Sequence, residues 1–380
     1  MTRTVLLGDI CDIKIGRTPP RKQPQWFSSS HGMKWVSIKD MGNTGKYISQ
    51  TSEFLTADAV KKFNIPIIPV GTLLMSFKLT VGRLGFTEYD MCSNEAIAQL
   101  PIKNPDIVDK NYLYYYLKNF NFDSLSSTSS IATAVNSKTV KNISVSLPPL
   151  NQQKKIADIL GILDEKIELN RRMNETLEQL GQTLFRHYFV DNPEAKNWNE
   201  GTLGDIMNIT MGQSPPGKSY NDNGDGVIFY QGRADFGSRY PNIRLFTTDP
   251  KRFAKVGDVL LTVRAPVGDV NQALERCCIG RGLAAISSRT GAVSFCYYYC
   301  HQLKADFLEY NSEGTVFGSI NSKQLKALKL KIPPIGLVEK FENEVAVIDK
   351  TIKLNSYQVK TLVVLRDSLL PKLISGKIEI

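Results

Sequence analysis

The sequence predicts an α+β protein with two tandem-duplicated α+β domains, separated by two long helices that form an antiparallel coiled coil. Three observations support this prediction. Several motifs occur twice, in the same order. Short β-rich runs mix with turn residues and helical segments in each half. Apolar residues at alternating three- and four-residue spacing follow a double proline in each half.

The duplication is visible in paired segments that keep their order along the chain. Only the stretches between them differ in length, so the period is close to half the chain, which indicates two domains and not a solenoid. Tyrosine-rich segments, YLYYYL and FCYYYC, fall at matching places. The pairs are LGDICDIKIGRTPP (7–20) with LGDIMNITMGQSPP (203–216), PVGTLLMSF (69–77) with KVGDVLLTV (255–263), and NSKTVKNISVSLPPL (136–150) with NSKQLKALKLKIPPI (321–335).

A long helix is predicted after each double proline, because proline ends the preceding domain and disfavours helix before itself. The narrow apolar spacing of both helices is typical of a coiled-coil seam. Two separate amphipathic helices, each packed on its own domain, remain an alternative. The seam comprises Ile156, Leu160, Leu163, Ile167, Asn170, Leu177 and Leu184 in the first helix, and Val345, Ile348, Ile352, Asn355, Val359 and Leu362 in the second. The pattern extends to Met173, Leu180, Val338, Phe341, Leu369 and Leu373.

An asparagine interrupts each seam near its centre, Asn170 in the first helix and Asn355 in the second. An antiparallel pairing makes the centres coincide, whereas a parallel pairing would place both domains at one end. A lone buried amide is costly, and a paired one fixes the register. The sequence therefore predicts an antiparallel pair in which Asn170 and Asn355 are adjacent and hydrogen-bonded to each other.

Composition limits the function classes. The 380 residues carry a net charge of +10, which favours a polyanionic partner. The N-terminal apolar run is too short for a signal peptide, and no run approaches about 18 apolar residues, so a soluble, cytoplasmic protein without membrane partners is expected. Three histidines and the absence of a C-x-x-C pair predict no metal site. Buried, reduced thiols are expected of Cys11, Cys92, Cys277, Cys278, Cys296 and Cys300.

The segment GQSPPGKS (212–219) matches the P-loop pattern of nucleotide-binding proteins letter for letter. A P-loop binds phosphate through consecutive backbone N–H groups at the start of a helix. Pro215 and Pro216 remove two of these donors, and the following YNDNGDG favours a loop. The segment is therefore predicted to be a flexible basic loop.

Other catalytic patterns are no stronger. Asp164-Glu165-Lys166 has the D-x-K form found in nucleases, but it lies in the predicted helix, where a solvated face is the simpler interpretation. An adenine methyltransferase would need an Asn-Pro-Pro-aromatic loop, and the sequence has none. With so few histidines, the chain has little general-base capacity. No catalytic residue is predicted.

Taken together, the motifs resemble the specificity subunit of type I restriction–modification systems, over essentially the whole chain. One departure is that the second helix begins PPIGLVEKF and lacks the Gln-Gln of the first. The segments that carry the resemblance are IGRTPPRKQPQWF, MKWVSIKDM, MGQSPP, GVIFYQGRADFG, GDVLLTVRAPVGDVNQALERCCIGRGLAAI, PPLNQQKKIADILGILDEKIELN and RDSLLPKLISGKIEI.

The resemblance implies a non-catalytic, DNA-reading role. Each target-recognition domain would read one half of a bipartite, asymmetric double-stranded DNA target, and the helices would set the spacing and dock two modification (methyltransferase) subunits. Restriction (motor and nuclease) subunits would join them. S-adenosylmethionine, ATP and Mg²⁺ are expected on the partners and not on this chain. The implied boundaries are 1–150 and 203–335 for the recognition domains, 151–190 and 336–380 for the helices, and 191–202 for a linker.

Basic and amide side chains in the variable loops are the candidate DNA contacts, because arginine and lysine suit guanine or phosphate and glutamine suits adenine. For each, a phosphate contact or a plain surface position is an alternative to base readout. The tyrosine-rich segments are expected to pack as helices. The candidates are Arg17, Arg21, Lys22, Lys78 and Arg83 in the first domain, and Gln213, Lys218, Gln231, Arg233, Arg264 and Arg281 in the second.

Two other functions remain open at this point. One is a stand-alone sequence-specific DNA-binding protein without methyltransferase partners. The other, more remote, is a P-loop NTPase that uses GQSPPGKS. Co-purification with partner subunits would separate the first from a specificity subunit, and nucleotide binding by the isolated chain would separate the second.

Overall fold

The computed structural model describes residues 2–42, 45–125, 136–307, 310 and 318–380. The chain divides into two compact units. Unit 1 combines Met1–Arg171 with Ser356–Ile380, and unit 2 is Arg172–Asn355. Two long helices contribute to both units: the central helix, Leu150–Phe185, and the C-terminal helix, Ile335–Ile374. Each begins directly after a double proline, as predicted.

Unit 1 contains three sheets in its described part. In sheet order, the five-stranded sheet is formed by Lys14–Ile15, Ile97–Gln99, Leu73–Ser76, Leu84–Thr87 and Tyr47–Ile48. The four-stranded sheet is formed by Phe27–Ser28, Glu53–Leu55, Met33–Val36 and Cys92–Ser93. Arg3–Leu6 pairs with Ser144–Leu147. The short helices of unit 1 are Leu7–Ile10, Ile38–Met41, Ala57–Lys62, Lys110–Lys118 and Ser137–Lys141, with 3-10 turns at Pro24–Trp26 and Phe122–Leu125.

Unit 2 repeats this plan. Its four-stranded sheet is formed by Met207–Met211, Leu283–Ser288, Val259–Thr262 and Val270–Gln272. Its five-stranded sheet is formed by Tyr220–Asn221, Leu245–Thr247, Val227–Tyr230, Cys277–Ile279 and Phe253–Ala254. Asn199–Thr202 pairs with Lys329–Ile332. The short helices are Leu203–Ile206, Val293–Gln302 and Ser322–Lys326, with a π turn at Arg186–Val190 and 3-10 turns at Pro193–Asn197, Gly217–Ser219 and Arg233–Asp235.

Matching hydrogen bonds confirm the tandem duplication. The Leu7 N–H donates to the Ile143 carbonyl in unit 1, and the Leu203 N–H donates to the Leu328 carbonyl in unit 2, both at 2.8 Å. Each unit also contains a parallel strand pair at the same place in its fold, Met33–Val36 with Cys92–Ser93 and Val227–Tyr230 with Cys277–Ile279. Unit 1 has a second parallel pair, Tyr47–Ile48 with Leu84–Thr87. The segment 191–202, predicted to be a linker, contains the strand Asn199–Thr202 and is therefore part of unit 2.

Each unit packs its tyrosine-rich helix against the long helices. In unit 1, Ile156 and Leu160 of the central helix share a core with Leu370 and Leu373 of the C-terminal helix and with the helix Lys110–Lys118. In unit 2, the core combines Phe185 and Phe341 with the helix Val293–Gln302. The long helices thus pack both on the globular part of each unit and on each other. The tyrosine-rich segments are helices that pack in the core, as predicted.

Within each unit the two long helices run antiparallel. In unit 1, Asn170 donates to Gln358 at 3.0 Å and Arg366 donates to Asp164 at 2.7 Å. In unit 2, Asn355 donates to Asn174 at 2.9 Å, and the hydroxyl of Tyr188, in the turn that follows the central helix, donates to Glu344 at 2.7 Å. In both units, as residue numbers fall along the central helix and its following turn, the partners' numbers rise along the C-terminal helix, which is the antiparallel order.

The prediction of a hydrogen bond between Asn170 and Asn355 was wrong. Asn170 donates to Gln358, and Asn355 donates to Asn174 at 2.9 Å. The prediction placed the centres of the two seams opposite each other. The register of the two helices follows instead from buried pairs such as Arg366 with Asp164. This register moves each asparagine's partner by about one helical turn. The Asn170 side-chain oxygen is left buried without a hydrogen-bond partner among the described residues.

None of the thirteen residues that define the predicted seam is exposed. Ile156, Leu160, Ile167, Asn170, Val345, Ile352 and Asn355 are buried, and Leu163, Leu177, Leu184, Ile348, Val359 and Leu362 are half-buried. Met173 and Leu180, which continued the predicted pattern, are instead 41% and 46% exposed. They belong to a different face of the central helix, because a straight helix drifts away from a strict seven-residue repeat.

Asp164 does not lie on a solvated helix face, contrary to the prediction. It is 9% exposed, forms an ion pair with Arg366, and accepts a hydrogen bond from the Tyr115 hydroxyl at 2.8 Å. Glu165 and Lys166 are exposed. A carboxylate at this depth needs such partners to offset its desolvation, so the D-x-K pattern serves packing between helix and domain.

Unit 2 has an equivalent junction with a different cation. The Tyr298 hydroxyl donates to Asp349 at 3.0 Å, as Tyr115 does to Asp164. The guanidinium of Arg239, which is 4% exposed, lies 2.9 Å from both Glu178 and Asp349. Burial lowers the pKa of Arg239, but the surrounding oxygens outweigh it and hold that pKa above its usual value.

A glycine explains why the cation of unit 2 is Arg239 and not a residue of the central helix that would correspond to Arg366. Arg366 and Gly181 occupy matching positions of the repeat, each following its helix's seam asparagine by eleven residues. A Cβ at Gly181 would lie 2.1 Å from the Tyr298 hydroxyl. No side chain fits there, so the cation comes from the globular part of unit 2 instead of from the facing helix.

All six cysteines are buried and free. In the described ranges, no helix has the length and apolar character needed to cross a membrane.

Candidate nucleic-acid interface

Four segments meet in each unit, at the carboxyl ends of the matching parallel pair, Met33–Val36 with Cys92–Ser93 in unit 1 and Val227–Tyr230 with Cys277–Ile279 in unit 2. We name them the proline loop, the strand-end segment, the hairpin loop and the short turn. In unit 1 they are 16–22, 37–40, 77–83 and 94–96. In unit 2 they are 212–218, 231–235, 263–269 and 280–282.

Backbone hydrogen bonds hold the four segments of unit 1 together, two of them through the last residue of an adjoining strand. The Arg17 N–H donates to Ser93 at 2.9 Å, and the Asn94 N–H donates to Val36 at 3.1 Å. The Phe77 N–H donates to Ala96 at 2.9 Å. The short turn therefore lies between the other three segments.

The same arrangement recurs in unit 2. The Gln213 N–H donates to Ile279 at 3.0 Å, and the Gly280 N–H donates to Tyr230 at 2.8 Å. The Val263 N–H donates to Gly282 at 3.0 Å. The two units thus build one constellation of loops twice, with different side chains on it.

The first glycine of each proline loop is required by this close approach. A Cβ at Gly16 would lie 2.1 Å from the Ser93 carbonyl oxygen, and a Cβ at Gly212 would lie 2.1 Å from that of Gly280. Real Cβ atoms do not approach backbone oxygens so closely, so a larger residue would push the proline loop off the short turn.

The hairpin loops are closed by equivalent hydroxyls. In unit 1, Ser76 donates to the Thr80 carbonyl at 2.5 Å and accepts from the Arg83 N–H at 3.0 Å. In unit 2, Thr262 donates to the Pro266 carbonyl at 2.7 Å and accepts from the Asp269 N–H at 2.9 Å. This match aligns Lys78 with Arg264 and Arg83 with Asp269.

All eleven predicted contact residues lie on these segments. Arg83 is half-buried, and the other ten are exposed: Arg17, Arg21, Lys22, Lys78, Gln213, Lys218, Gln231, Arg233, Arg264 and Arg281. The structure therefore gathers, in each unit, side chains that are far apart in sequence. Whether each touches a base or a phosphate stays a prediction.

Several of these cations also hold the loops in place. Arg17 donates to the carbonyls of Phe63 and Asn64 at the end of a short helix, and Arg83 donates to the Ile38 carbonyl at 2.7 Å. Arg21 forms an ion pair with Glu53 at 2.7 Å, yet half of its side chain remains exposed. These residues are positioned and still present positive charge to solvent.

Asp269 limits the charge of unit 2. It pairs with both Arg233 and Lys304. Burial raises the pKa of Asp269, but the hydrogen bonds from Lys304 and Arg233 outweigh this effect and hold it below the usual value. Five other predicted contact residues have side chains without a hydrogen-bond or ion-pair partner among the described residues: Lys22, Gln213, Lys218, Gln231 and Arg281.

Sequence reasoning missed the polar residues of the short turn and the proline loop. Thr18 donates a hydrogen bond to the exposed carboxylate of Glu95. Ser214, the counterpart of Thr18, accepts from the Arg281 N–H at 3.2 Å. Aligning MCSNEAIAQL with CCIGRGLAAI would have placed Glu95 opposite Arg281, and a search restricted to basic and amide side chains left the acidic residue out.

The P-loop-like segment does not form a phosphate cradle. Pro216 is followed by the 3-10 turn Gly217–Ser219 and then by a strand, and not by a helix. The Ser219 hydroxyl, which would bind Mg²⁺ in a P-loop, donates to the Pro216 carbonyl at 2.7 Å and lies 2.8 Å from the Thr247 hydroxyl. Its geometry is that of a structural turn.

Comparison with known proteins agrees with this duplicated arrangement. The family model described as type I restriction modification DNA specificity domain matches the chain twice, over residues 2–179 and 195–355. The chain belongs to this family. Its two matched stretches contain the two constellations of loops, so each specificity domain carries one candidate interface.

Two curated relatives come from Methanocaldococcus jannaschii. The type I restriction enzyme specificity subunit named MjaX is 33% identical over 298 residues, covering 73% of this chain and 70% of that protein. The MjaIX specificity subunit is 25% identical, covering 98% of this chain and 93% of its own length. The similarity to both therefore extends over most of the specificity-domain chain.

A solved structure shares the fold. The type I restriction–modification system S subunit from M. genitalium matches with a TM-score of 0.63 at 17% identity, covering 98% of this chain and 96% of that one. The fold class predicted from sequence is thereby confirmed.

Proposed function

We propose that this chain is the DNA-sequence-specificity subunit of a type I restriction–modification complex. Each unit reads one half of a bipartite, asymmetric double-stranded DNA target. The observation that carries the proposal is the repeated constellation of four loops in a chain from this family. It presents exposed basic side chains in both units and exposed amide side chains in unit 2. The loops differ in sequence, so the two half-sites differ as well.

The exposed cations divide by their surroundings. Lys22 and Lys218 are exposed at matching positions of the two proline loops and suit phosphate contacts, because an ammonium is a mobile point charge. Arg281, Gln213 and Gln231 lie where segments converge, and their side chains can donate or accept in defined geometry. Phosphate contacts position the protein, and the convergent side chains supply base readout.

The long helices present apolar residues that suit helical partners. In unit 1, Ile162 and Leu169 are 66% and 55% exposed, and in unit 2, Val347 and Leu354 are 68% and 54% exposed. Each pair is separated by seven residues, the repeat of a coiled-coil seam. Met173 with Leu180 and Tyr357 with Val364 have the same spacing. We assign these stripes to the docking of two modification subunits, which a stand-alone DNA-binding protein would not need.

Chemistry in this proposal belongs to the partners. Modification subunits bind S-adenosylmethionine and transfer its methyl group, and restriction subunits use ATP and Mg²⁺ for translocation and cleavage. This chain acts by binding the target and holding the helices to which the partners dock. Its residues recognise the DNA sequence and set the distance between the two half-sites. No bond-making step is assigned to them.

Domain exchange tests this function. The chain is co-expressed with its modification subunits, and the methylated motif is determined by sequencing the host's methylome. Replacing Met1–Leu147 with the first recognition domain of another family member should change one half of the motif only. A change in both halves, or methylation that does not depend on this chain, would contradict the proposal.

Helix variants test the docking surface separately. Ile162→Lys with Leu169→Lys should reduce co-purification of modification subunits at least tenfold, because charges on an apolar interface are costly to desolvate. Ile162→Leu with Leu169→Ile, which keeps the face apolar, is the matched control. Unimpaired co-purification of the double variant would exclude this face.

A further inference from the structure

The short turn places side chains of opposite charge at one position of the duplicated fold. In unit 1, Ser93 pairs with Val36 and Ile97 pairs with Ser76. In unit 2, Ile279 pairs with Tyr230 and Leu283 pairs with Thr262. Three residues separate the two strands in each case, so Glu95 of unit 1 is the structural counterpart of Arg281 of unit 2.

Both side chains are exposed at the point where the four segments meet. On one side the turn is bonded to the strand that leads into the strand-end segment, on the other side it is bonded to the hairpin loop, and the proline loop lies across it. In unit 2, a Cβ at Gly282 would lie 2.6 Å from the Gln231 carbonyl. The glycines beside Arg281 therefore keep the turn close to its neighbours, and the arginine is the long side chain that projects from it.

An acidic side chain is unexpected in the middle of a basic constellation. Arg21 and Lys78 lie close enough to Glu95 to stabilise its charge, and Thr18 donates a hydrogen bond to it. Burial raises the pKa of Glu95, but the hydrogen bond from Thr18 and the positive charges outweigh it and hold that pKa below its usual value. Glu95 is thus an oriented carboxylate.

The contacts available to such a carboxylate on duplex DNA are few. Phosphates repel it, and an ionised carboxylate can only accept hydrogen bonds. The major groove offers it exocyclic amino groups, N4 of cytosine or N6 of adenine. An arginine in the same place donates to O6 and N7 of guanine.

We propose that Glu95 and Arg281 are specificity-determining residues of the two units. Glu95 selects a base with a major-groove amino group in one half-site, and Arg281 selects guanine at the matching step of the other. Thr18 positions the Glu95 carboxylate. This inference rests on the proposed function, since it assigns base readout within an interface that the proposed function places on DNA.

The test uses the full chain in complex with its modification subunits and a randomised double-stranded oligonucleotide from which bound sequences are selected. Glu95→Ala should reduce discrimination at one position of one half-site roughly ten- to hundredfold, the size expected of a lost base contact. Glu95→Arg should convert that position to guanine. Arg281→Ala should relax a guanine in the other half-site only.

Asp106→Ala is the matched control, because Asp106 is an exposed acidic residue on the loop whose Ile107 carbonyl accepts a hydrogen bond from Gln153. It should leave every position unchanged. Thr18→Val should weaken the same preference as Glu95→Ala, and thermal melting of each variant separates this effect from misfolding. Selection of adenine or cytosine by the wild-type complex identifies which amino group is read.

Two results would overturn the inference. One is an unchanged motif in a folded Glu95→Ala variant, and the other is an equal loss of affinity for all sequences, which marks a structural or electrostatic role. If the wild-type complex selects no bipartite motif, the proposed function fails and this inference falls with it. A bipartite wild-type motif that the variants do not alter refutes the inference alone.

Discussion

Arg366 of the C-terminal helix donates a hydrogen bond to Asp164 of the central helix across 2.7 Å. Their side chains are only 14% and 9% exposed. The Tyr115 hydroxyl donates a hydrogen bond to the second carboxylate oxygen of Asp164. The pair therefore joins both helices and the recognition domain of unit 1 in one buried polar junction, where loss of one member leaves the other charge unpaired.

Arg366→Met should lower the free energy of unfolding of unit 1 by about 3–5 kcal/mol, because Asp164 loses its buried counter-charge. Hydrogen exchange of peptides from the helix Lys110–Lys118, measured across a urea series, reports this unit. The double variant Asp164→Leu with Arg366→Met should recover most of the loss. Additive losses in the double variant would show that the two charges do not compensate each other.

Asn170→Leu should raise the free energy of unfolding of unit 1 by about 1 kcal/mol. The asparagine is 1% exposed and its side-chain oxygen has no partner among the described residues, so the unmet acceptor costs more than its one hydrogen bond gains. Chemical denaturation measures the change. Asn355→Leu is the comparison: its amide donates to Asn174 at 2.9 Å, and we expect no gain from removing it.

Unit 2 should lose stability in mild acid through His301. Burial, with the charges of Arg239 and Lys304, lowers the pKa of His301 from 6.5 to about 4, although Asp269 opposes this shift. The unfolded chain therefore binds a proton that the folded unit does not. Stability is full above pH 6.5 and declines as the pH falls towards 4.

His301→Phe should flatten this decline, because the ring is kept against Tyr297, whose centroid lies 4.6 Å away, and the titration is removed. The measurement is denaturation of unit 2 at pH 7 and pH 5, followed by hydrogen exchange of the helix Val293–Gln302. His187→Phe, at an exposed position, is the control. An equal pH dependence in wild type and His301→Phe would assign the decline to other groups.

Lys218→Ala should leave ATP turnover by the assembled complex unchanged, because Ser219 is held in a turn and no phosphate cradle surrounds the lysine. The isolated chain should not hydrolyse ATP. If Lys218 contacts a phosphate, its loss should lower the salt slope of DNA affinity by about 0.9. Lys196→Ala, also exposed in unit 2, should not change that slope. ATP turnover by the isolated chain that disappears in Lys218→Ala would contradict this reading.

The sequence was sufficient for the fold class, because duplication, double prolines and seam spacing are local patterns. It also placed all the predicted contact residues on loops that converge. It failed on Asp164, since a charged residue on a helix is usually solvated and its partners Tyr115 and Arg366 are distant in sequence. The register failed for the same reason: Asn170 and Gln358 are matched by long-range packing and not by the centres of two seams.

Arg239 had no signal in the sequence at all. It lies in a variable stretch that the repeat does not align, and its partners Glu178 and Asp349 are on the two long helices. Only the structure shows that Gly181 leaves no room for a helix-borne cation. Glu95 could have been found, because the short turn aligns residue by residue between the units.

The unequal origin of these cations makes the two recognition domains differ in how freely they can be transplanted. A foreign domain grafted onto unit 1 meets a carboxylate already neutralised by Arg366, and at this junction it needs to bring a phenol in the place of Tyr115. A graft onto unit 2 removes Arg239 and leaves Glu178 and Asp349 behind on the retained helices. Donor domains for the second position therefore have to carry their own arginine, so that these two carboxylates do not stay buried without a counter-charge.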